Sequence, residues 1–133
     1  MTRIKWDKRH SVGVKIIDEQ HKHFIGLLNK LYECLGSDNT SKLQDIISDL
    51  ASYTELHFKT EEDYFEKFNY EGAAEHKVAH DEIRAKVKGF LDKKGDPKVI
   101  GFELLYFLER WLFIHLDGKD KKYTACFNQH GLH

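Results

Sequence analysis

At 133 residues, the chain is long enough to bury one core unaided, and its 41% hydrophobic and 32% charged residues make an ordinary globular balance. A formal charge of −1 argues against a partner such as nucleic acid or an anionic membrane, and no apolar run approaches the ~18 residues of a membrane span. Two cysteines without CxxC spacing suit a reducing compartment. The first ten residues, MTRIKWDKRH, hold no apolar stretch of the kind a secretory leader needs, so the expected location is cytoplasmic.

Residues 1–17 carry Trp6, Val12, Val14 and Ile16 around Gly13 and are expected as an extended arm lying on the domain. A first helix is expected from near Asp18 to Gly36, with Ile17, His21, Phe24, Leu28, Leu31 and Leu35 in the alternating 4-3 spacing of a bundle seam. Ser41 and Gln44 have the spacing of a capping box opening a second helix. Its seam reads Leu43, Ile47, Leu50, Thr54, His57, Glu61, Tyr64 and Phe68. A Phe-Asn-Tyr-Glu-Gly break at 68–72 separates it from a third helix, which starts after Asn69 or Gly72 and runs to about Lys94 with Ala73, His76, His80, Ile83, Val87 and Phe90 inward. Asp96 as cap and Pro97 at the first helical position open a fourth helix, with Leu104, Leu108, Trp111 and His115 on its seam and Gly118 at its end. Residues 119–133 form a tail anchored by Tyr123 and Phe127. Four amphipathic helices with short connections predict one domain over residues 1–133, an all-α up-down-up-down antiparallel four-helix bundle with an extended N-terminal arm.

Nine histidines are many for this length. Each single pairing, His57 with Glu61 or His76 with His80, is a common accident of helical spacing. Their placement on the seams is not. Of six histidines inside expected helices, five (His21, His57, His76, His80, His115) fall on seam positions, and Glu61 joins them. A buried carboxylate needs partners, and so do buried imidazoles. A lone core histidine is ordinarily satisfied by hydrogen bonds, but five of them with a carboxylate are better satisfied by metal. Antiparallel alternation also puts all six at one end of the bundle. Five imidazoles exceed the four protein ligands of a closed zinc site, and a two-metal site needs a second carboxylate. Asp117 and Asp120 are the candidates.

The set DEQH (18–21), HFKTEE (57–62), HKVAH (76–80) and HLDGKDKKY (115–123) resembles the hemerythrin family in its bacterial single-domain form, over nearly the whole chain. All seven family ligand positions are filled. The resemblance implies two iron ions joined by an oxo or hydroxo bridge. One would be held by His76, His80 and His115, the other by His21 and His57, with Glu61 and Asp120 bridging. It also implies that O2 binds reversibly, held as peroxide on the iron that keeps an open position. By this match Asp117 is a surface residue. Phe24, Leu28, Phe58, Trp111 and Leu112 are expected to wall the O2 pocket, although aromatic and leucine positions of this kind are as often simply core.

The expected function is thus O2 binding, as carrier, store or sensor module, by a monomer that is not an enzyme. Two other classes use the same ligands: a di-iron peroxidase or oxidase, and a protein for iron storage or detoxification. Rapid autoxidation would favour the first of these and iron beyond two ions per chain the second. A sensing role would need a protein partner whose docking surface no motif identifies. His10, His23, His130 and His133 fit no ligand position and are expected at the surface, and Cys34 and Cys126 as unligated thiols.

Overall fold

A computed structural model describes residues 3–37, 41–117 and 120–133, without the side chains of Leu116, Asp117 and Asp120. Its helices are α1 (Lys15–Leu35), α2 (Leu43–Lys67), α3 (Ala73–Asp92), α4 (Pro97–Asp117) and a short α5 (Thr124–Gln129). Short 3-10 turns at Lys8–His10 and Asp120–Tyr123 flank the bundle. The first four helices form the up-down-up-down bundle, with α1 packed chiefly on α2 and α4, and α3 held mainly by α2. Among the described residues there is no strand, and no helix is long and apolar enough to cross a membrane.

The seams explain the packing. Ile17, Phe24, Leu28, Leu31 and Leu35 of α1 are buried against Leu43, Ile47 and Leu50 of α2 and Leu104, Leu105, Leu108 and Leu112 of α4. Leu31, Leu35, Leu43, Ile47, Leu50, Leu104 and Leu105 fill the end of the bundle where α1 runs out and α2 begins. At that end α4 comes so close that a Cβ on Gly101 would meet Leu35 Cδ2 at 2.8 Å. The other end is different. α3 buries only three residues, His76, His80 and Val87, so its inward face is mostly imidazole.

The break between α2 and α3 is a Schellman turn. Asn69 sits in the left-handed region at φ 50°, Tyr70 N–H donates to Phe65 C=O at 2.9 Å, and Asn69 N–H to Glu66 C=O at 3.3 Å. Tyr70 packs on Phe65 with ring centroids 5.0 Å apart. Gly72 leaves room for that ring, since a Cβ there would meet the Tyr70 Cζ at 2.8 Å. This turn makes His57 and Glu61, late in α2, neighbours of His76 and His80, early in α3.

Several boundaries depart from expectation. α1 starts at Lys15, three residues before Asp18, because Asp18 does not cap the helix. Its carboxylate instead receives Val12 N–H at 2.8 Å and Ser11 Oγ at 2.5 Å, and so clasps the arm. The Ser41–Gln44 capping box does not form. α2 begins at Leu43 with Lys42 in the αR region at the cap, which puts Ser41 one residue too early. α3 stops at Asp92, where Lys93 turns extended. Asp96 caps α4 as expected, accepting Lys98 N–H at 2.9 Å; Gly118 lies outside the described residues.

The arm is extended as expected, with Ile4, Val12 and Val14 buried. Asn29 of α1 accepts Ile4 N–H at 2.9 Å and donates back to Ile4 C=O at 2.8 Å. The tail is more ordered than expected: Tyr123 and Phe127 are fully buried, and Thr124 Oγ1 donates to Val12 C=O, tying α5 to the arm. His10 is half-buried rather than at the surface. Its ring lies 5.7 Å from Trp6 and 5.4 Å from Phe113, and its Nδ1 accepts Asp7 N–H. His23, His130 and His133 are exposed, and neither cysteine forms a disulfide.

Candidate metal centre

Six of the seven expected metal ligands meet at one end of the bundle. His21 comes from the second turn of α1, His57 and Glu61 from the last turns of α2, His76 and His80 from the first turns of α3, and His115 from the last turn of α4. All are buried, Glu61 and His80 at 0% exposure. Glu61 is the centre of the group. Its Oε1 lies 3.2 Å from His57 Nε2 and 3.2 Å from His80 Nε2, and 4.0 Å from the Nε2 atoms of His76 and His115. On the far side of His57, the Nε2 of His21 is 3.0 Å from His57 Nε2. One lobe of the site therefore holds His76, His80 and His115, whose ligating atoms and that of Glu61 lie within 4.8 Å of one another. The other holds His21 and His57. Glu61 lies between them. The seventh expected ligand, Asp120, has a side chain outside the described residues, as does Asp117. The 3-10 turn that Asp120 opens does lie beside the site, since its Tyr123 ring is 5.8 Å from His76.

Hydrogen bonds at the outer edge of two imidazoles determine their tautomers. Glu62 Oε2 lies 2.8 Å from His80 Nδ1, and Arg84 holds the Glu62 carboxylate with Nη1 at 2.9 Å and Nη2 at 3.0 Å. Burial pushes the Glu62 carboxyl up, but Arg84 and His80 outweigh it and keep the group ionised. An ionised carboxylate only accepts, so the proton is on His80 Nδ1 and the Nε2 lone pair faces inward. His57 reaches the same state through neutral groups. Thr60 Oγ1 donates to Leu56 C=O, so it accepts from Gln20 Nε2 at 3.0 Å, which turns Gln20 Oε1 toward His57 Nδ1 at 2.8 Å. His57 Nε2 is likewise left as an acceptor.

The fit to a metal follows from these protons. Two imidazole lone pairs face a carboxylate oxygen at 3.2 Å in a buried site, and neither Glu61 oxygen nor His80 Nε2 has a hydrogen-bond partner. Acceptors opposed in this way repel one another unless a cation sits among them. Burial pushes the Glu61 carboxyl up, and positive charge on the imidazoles of His57, His115 and His80 would hold it well below the ordinary carboxylate range, so the anion calls for a cation beside it, a proton on those rings or a metal ion among them. The site is thus built around an anion at its centre and neutral nitrogen donors around it, a donor set that suits iron among other first-row metals.

Two of the expected pocket residues, Phe58 and Trp111, lie directly against imidazoles. Phe58 is fully buried and stacks on His80, with centroids 3.9 Å apart and planes 12° from parallel. Trp111, half-buried, stacks on His115 at 4.9 Å and meets Phe58 edge-on at 5.4 Å and Phe24 at 5.7 Å. Leu28 and Leu112 are buried in the same core. Motif spacing missed Gln20, Glu62 and Arg84, because none lies on a seam. Their signal was weak: Gln20 and Glu62 each directly adjoin a ligand in sequence, and Arg84 follows His80 by one helical turn.

Comparison with known proteins agrees with this geometry. Residues 12–126 match the family model described as the hemerythrin HHE cation binding domain. The chain is 35% identical to a bacteriohemerythrin of Clostridium acetobutylicum, covering 89% of this chain and 96% of that protein. It is 31% identical to a hemerythrin-like protein of Naegleria gruberi, covering 90% of each. A wild-type hemerythrin crystal structure superposes with a TM-score of 0.83 at 25% identity, over 94% of this chain and 98% of that one.

Proposed function

The chain belongs to the hemerythrin family, and from the geometry of its buried centre we propose that it binds O2 reversibly at a non-heme pair of iron ions. The observation that carries this is the convergence of five imidazoles on one buried carboxylate, beside an aromatic wall. His76, His80 and His115 would hold one iron and His21 and His57 the other, with Glu61 and Asp120 shared between them. The iron pair, when bound, supplies the two electrons that reversible O2 binding draws on.

The remaining work belongs to the chain. Five neutral imidazoles against two carboxylates leave the centre more positive than a carboxylate-rich one, which opposes oxidation beyond the ferric state. His21 and His57 give their metal fewer protein ligands than the other position has, and so leave room there for a small molecule. Phe24, Phe58 and Trp111, with Leu28 and Leu112 behind them, exclude water and offer no acidic proton to bound oxygen. That favours recovery of O2 over irreversible loss of its reduced forms. The test is O2 uptake by anaerobically reduced, iron-loaded protein in a sealed oxygen-electrode cell. The expected result is one O2 taken up per two irons, recovered on lowering the O2 pressure. Uptake without recovery would overturn reversible binding.

A further inference from the structure

The outer partners of the two imidazoles nearest Glu61 differ in charge. His80 Nδ1 donates to a carboxylate, Glu62, and everything around that carboxylate is ionic. Arg84 grips it with two nitrogens and is itself held by Glu55 at 2.8 Å and Asp81 at 2.9 Å. The Arg84 guanidinium also lies 5.3 Å over the Phe58 ring, and that ring stacks on His80. His80 is therefore braced at its edge by the ion pair and at its face by Phe58. His57 Nδ1 donates to the amide of Gln20, and the chain beyond it, Thr60 and the Leu56 carbonyl, is neutral.

A carboxylate accepting an imidazole N–H draws on that proton and raises electron density at the opposite nitrogen, and an amide does so less. We propose that Glu62 and Gln20 are positioning residues that make the two metal positions unequal: Glu62 strengthens His80 as a donor and anchors one metal, while Gln20 leaves His57 the weaker donor. This rests on the di-iron reading above. It gives the centre one firmly held ion and one that can more readily change its ligands. That is the division of labour a site needs if only one metal is to bind and release a small molecule.

The test is loss of ferrous iron from the loaded, full-length protein to a colour-forming chelator, followed anaerobically in the wild type, Glu62→Gln and Gln20→Glu. Wild-type release is expected in two phases of equal amplitude. Glu62→Gln should speed the slow phase by roughly 10-fold or more, within the range outer partners of metal ligands carry, and leave the fast phase in place. Gln20→Glu should slow the fast phase. Opposite signs are what a merely structural role would not produce, since loss of packing speeds both phases. Circular dichroism checks that each variant stays helical, and should Glu62→Gln fail to fold, Gln20→Glu still decides the matter. Both phases shifting together, or faster release from Gln20→Glu, would overturn the proposal while leaving a di-iron site standing. A wild type that holds fewer than two irons per chain would instead remove the di-iron reading, and this inference with it.

Discussion

Replacing Glu61 with glutamine, or His80 with alanine, is expected to leave a helical protein that no longer holds two metal ions. Glu61 Oε1 lies within 4.0 Å of the Nε2 atoms of His57, His76, His80 and His115 alike. The amide keeps its shape but loses the charge that offsets a cation, and its NH2 group points a donor at the nitrogens that should face the metal. His80 lies at 0% exposure with its lone pair fixed inward by Glu62. Its loss should weaken metal binding by more than the roughly 10–100-fold typical of an outer partner. Iron per chain after gel filtration, measured by mass spectrometry, should fall from two to one or none. His23→Ala, which alters an exposed side chain packed on Tyr53, should keep full occupancy. Equal metal content in all of these variants would rule out the ligand set.

Phe58→Ala should act on stability and on oxygen chemistry together. Truncating a fully buried phenylalanine costs about 3–5 kcal/mol, which for a domain of this size lowers the melting temperature by on the order of 10 °C. It also removes the ring stacked on His80 and the edge contact to Trp111, so water gains access to the imidazoles. Autoxidation of the oxygenated protein should accelerate several-fold. Leu104→Ala provides the control. Leu104 is fully buried about 16 Å up α4 from His115, at 1.5 Å per residue, and its truncation costs about 2–5 kcal/mol. A comparable drop in melting temperature with unchanged autoxidation would separate the pocket's chemistry from its packing. Faster autoxidation in both variants would show that general loosening, and not the aromatic wall, sets the rate.

Much of this architecture is legible in the sequence because the bundle writes it with a period. The 4-3 spacing of Ile17, His21, Phe24, Leu28, Leu31 and Leu35 survives intact as the buried stripe of α1. On α2 the same spacing holds through Glu61 and then slips, because Phe65 and not Tyr64 turns inward beside His76. Turns and caps are less legible. Ser41 and Gln44 have the capping-box letters, yet the helix starts at Leu43, whose burial sets the register. Asp18, near which the first helix is expected to begin, spends its carboxylate on an arm that only tertiary structure brings near. The candidate centre divides the same way. Its six inward side chains follow from seam positions, whereas Gln20, Glu62 and Arg84 sit off the seams and acquire their roles only where helices meet.

The measurement closest to the central claim is a visible absorption spectrum of the iron-loaded protein, taken reduced without air, then with O2, then after purging with inert gas. A charge-transfer band that appears with O2, disappears on purging and returns over repeated cycles is the result expected for reversible oxygen binding. Direct passage from the reduced protein to a stable ferric spectrum that purging does not reverse would contradict it.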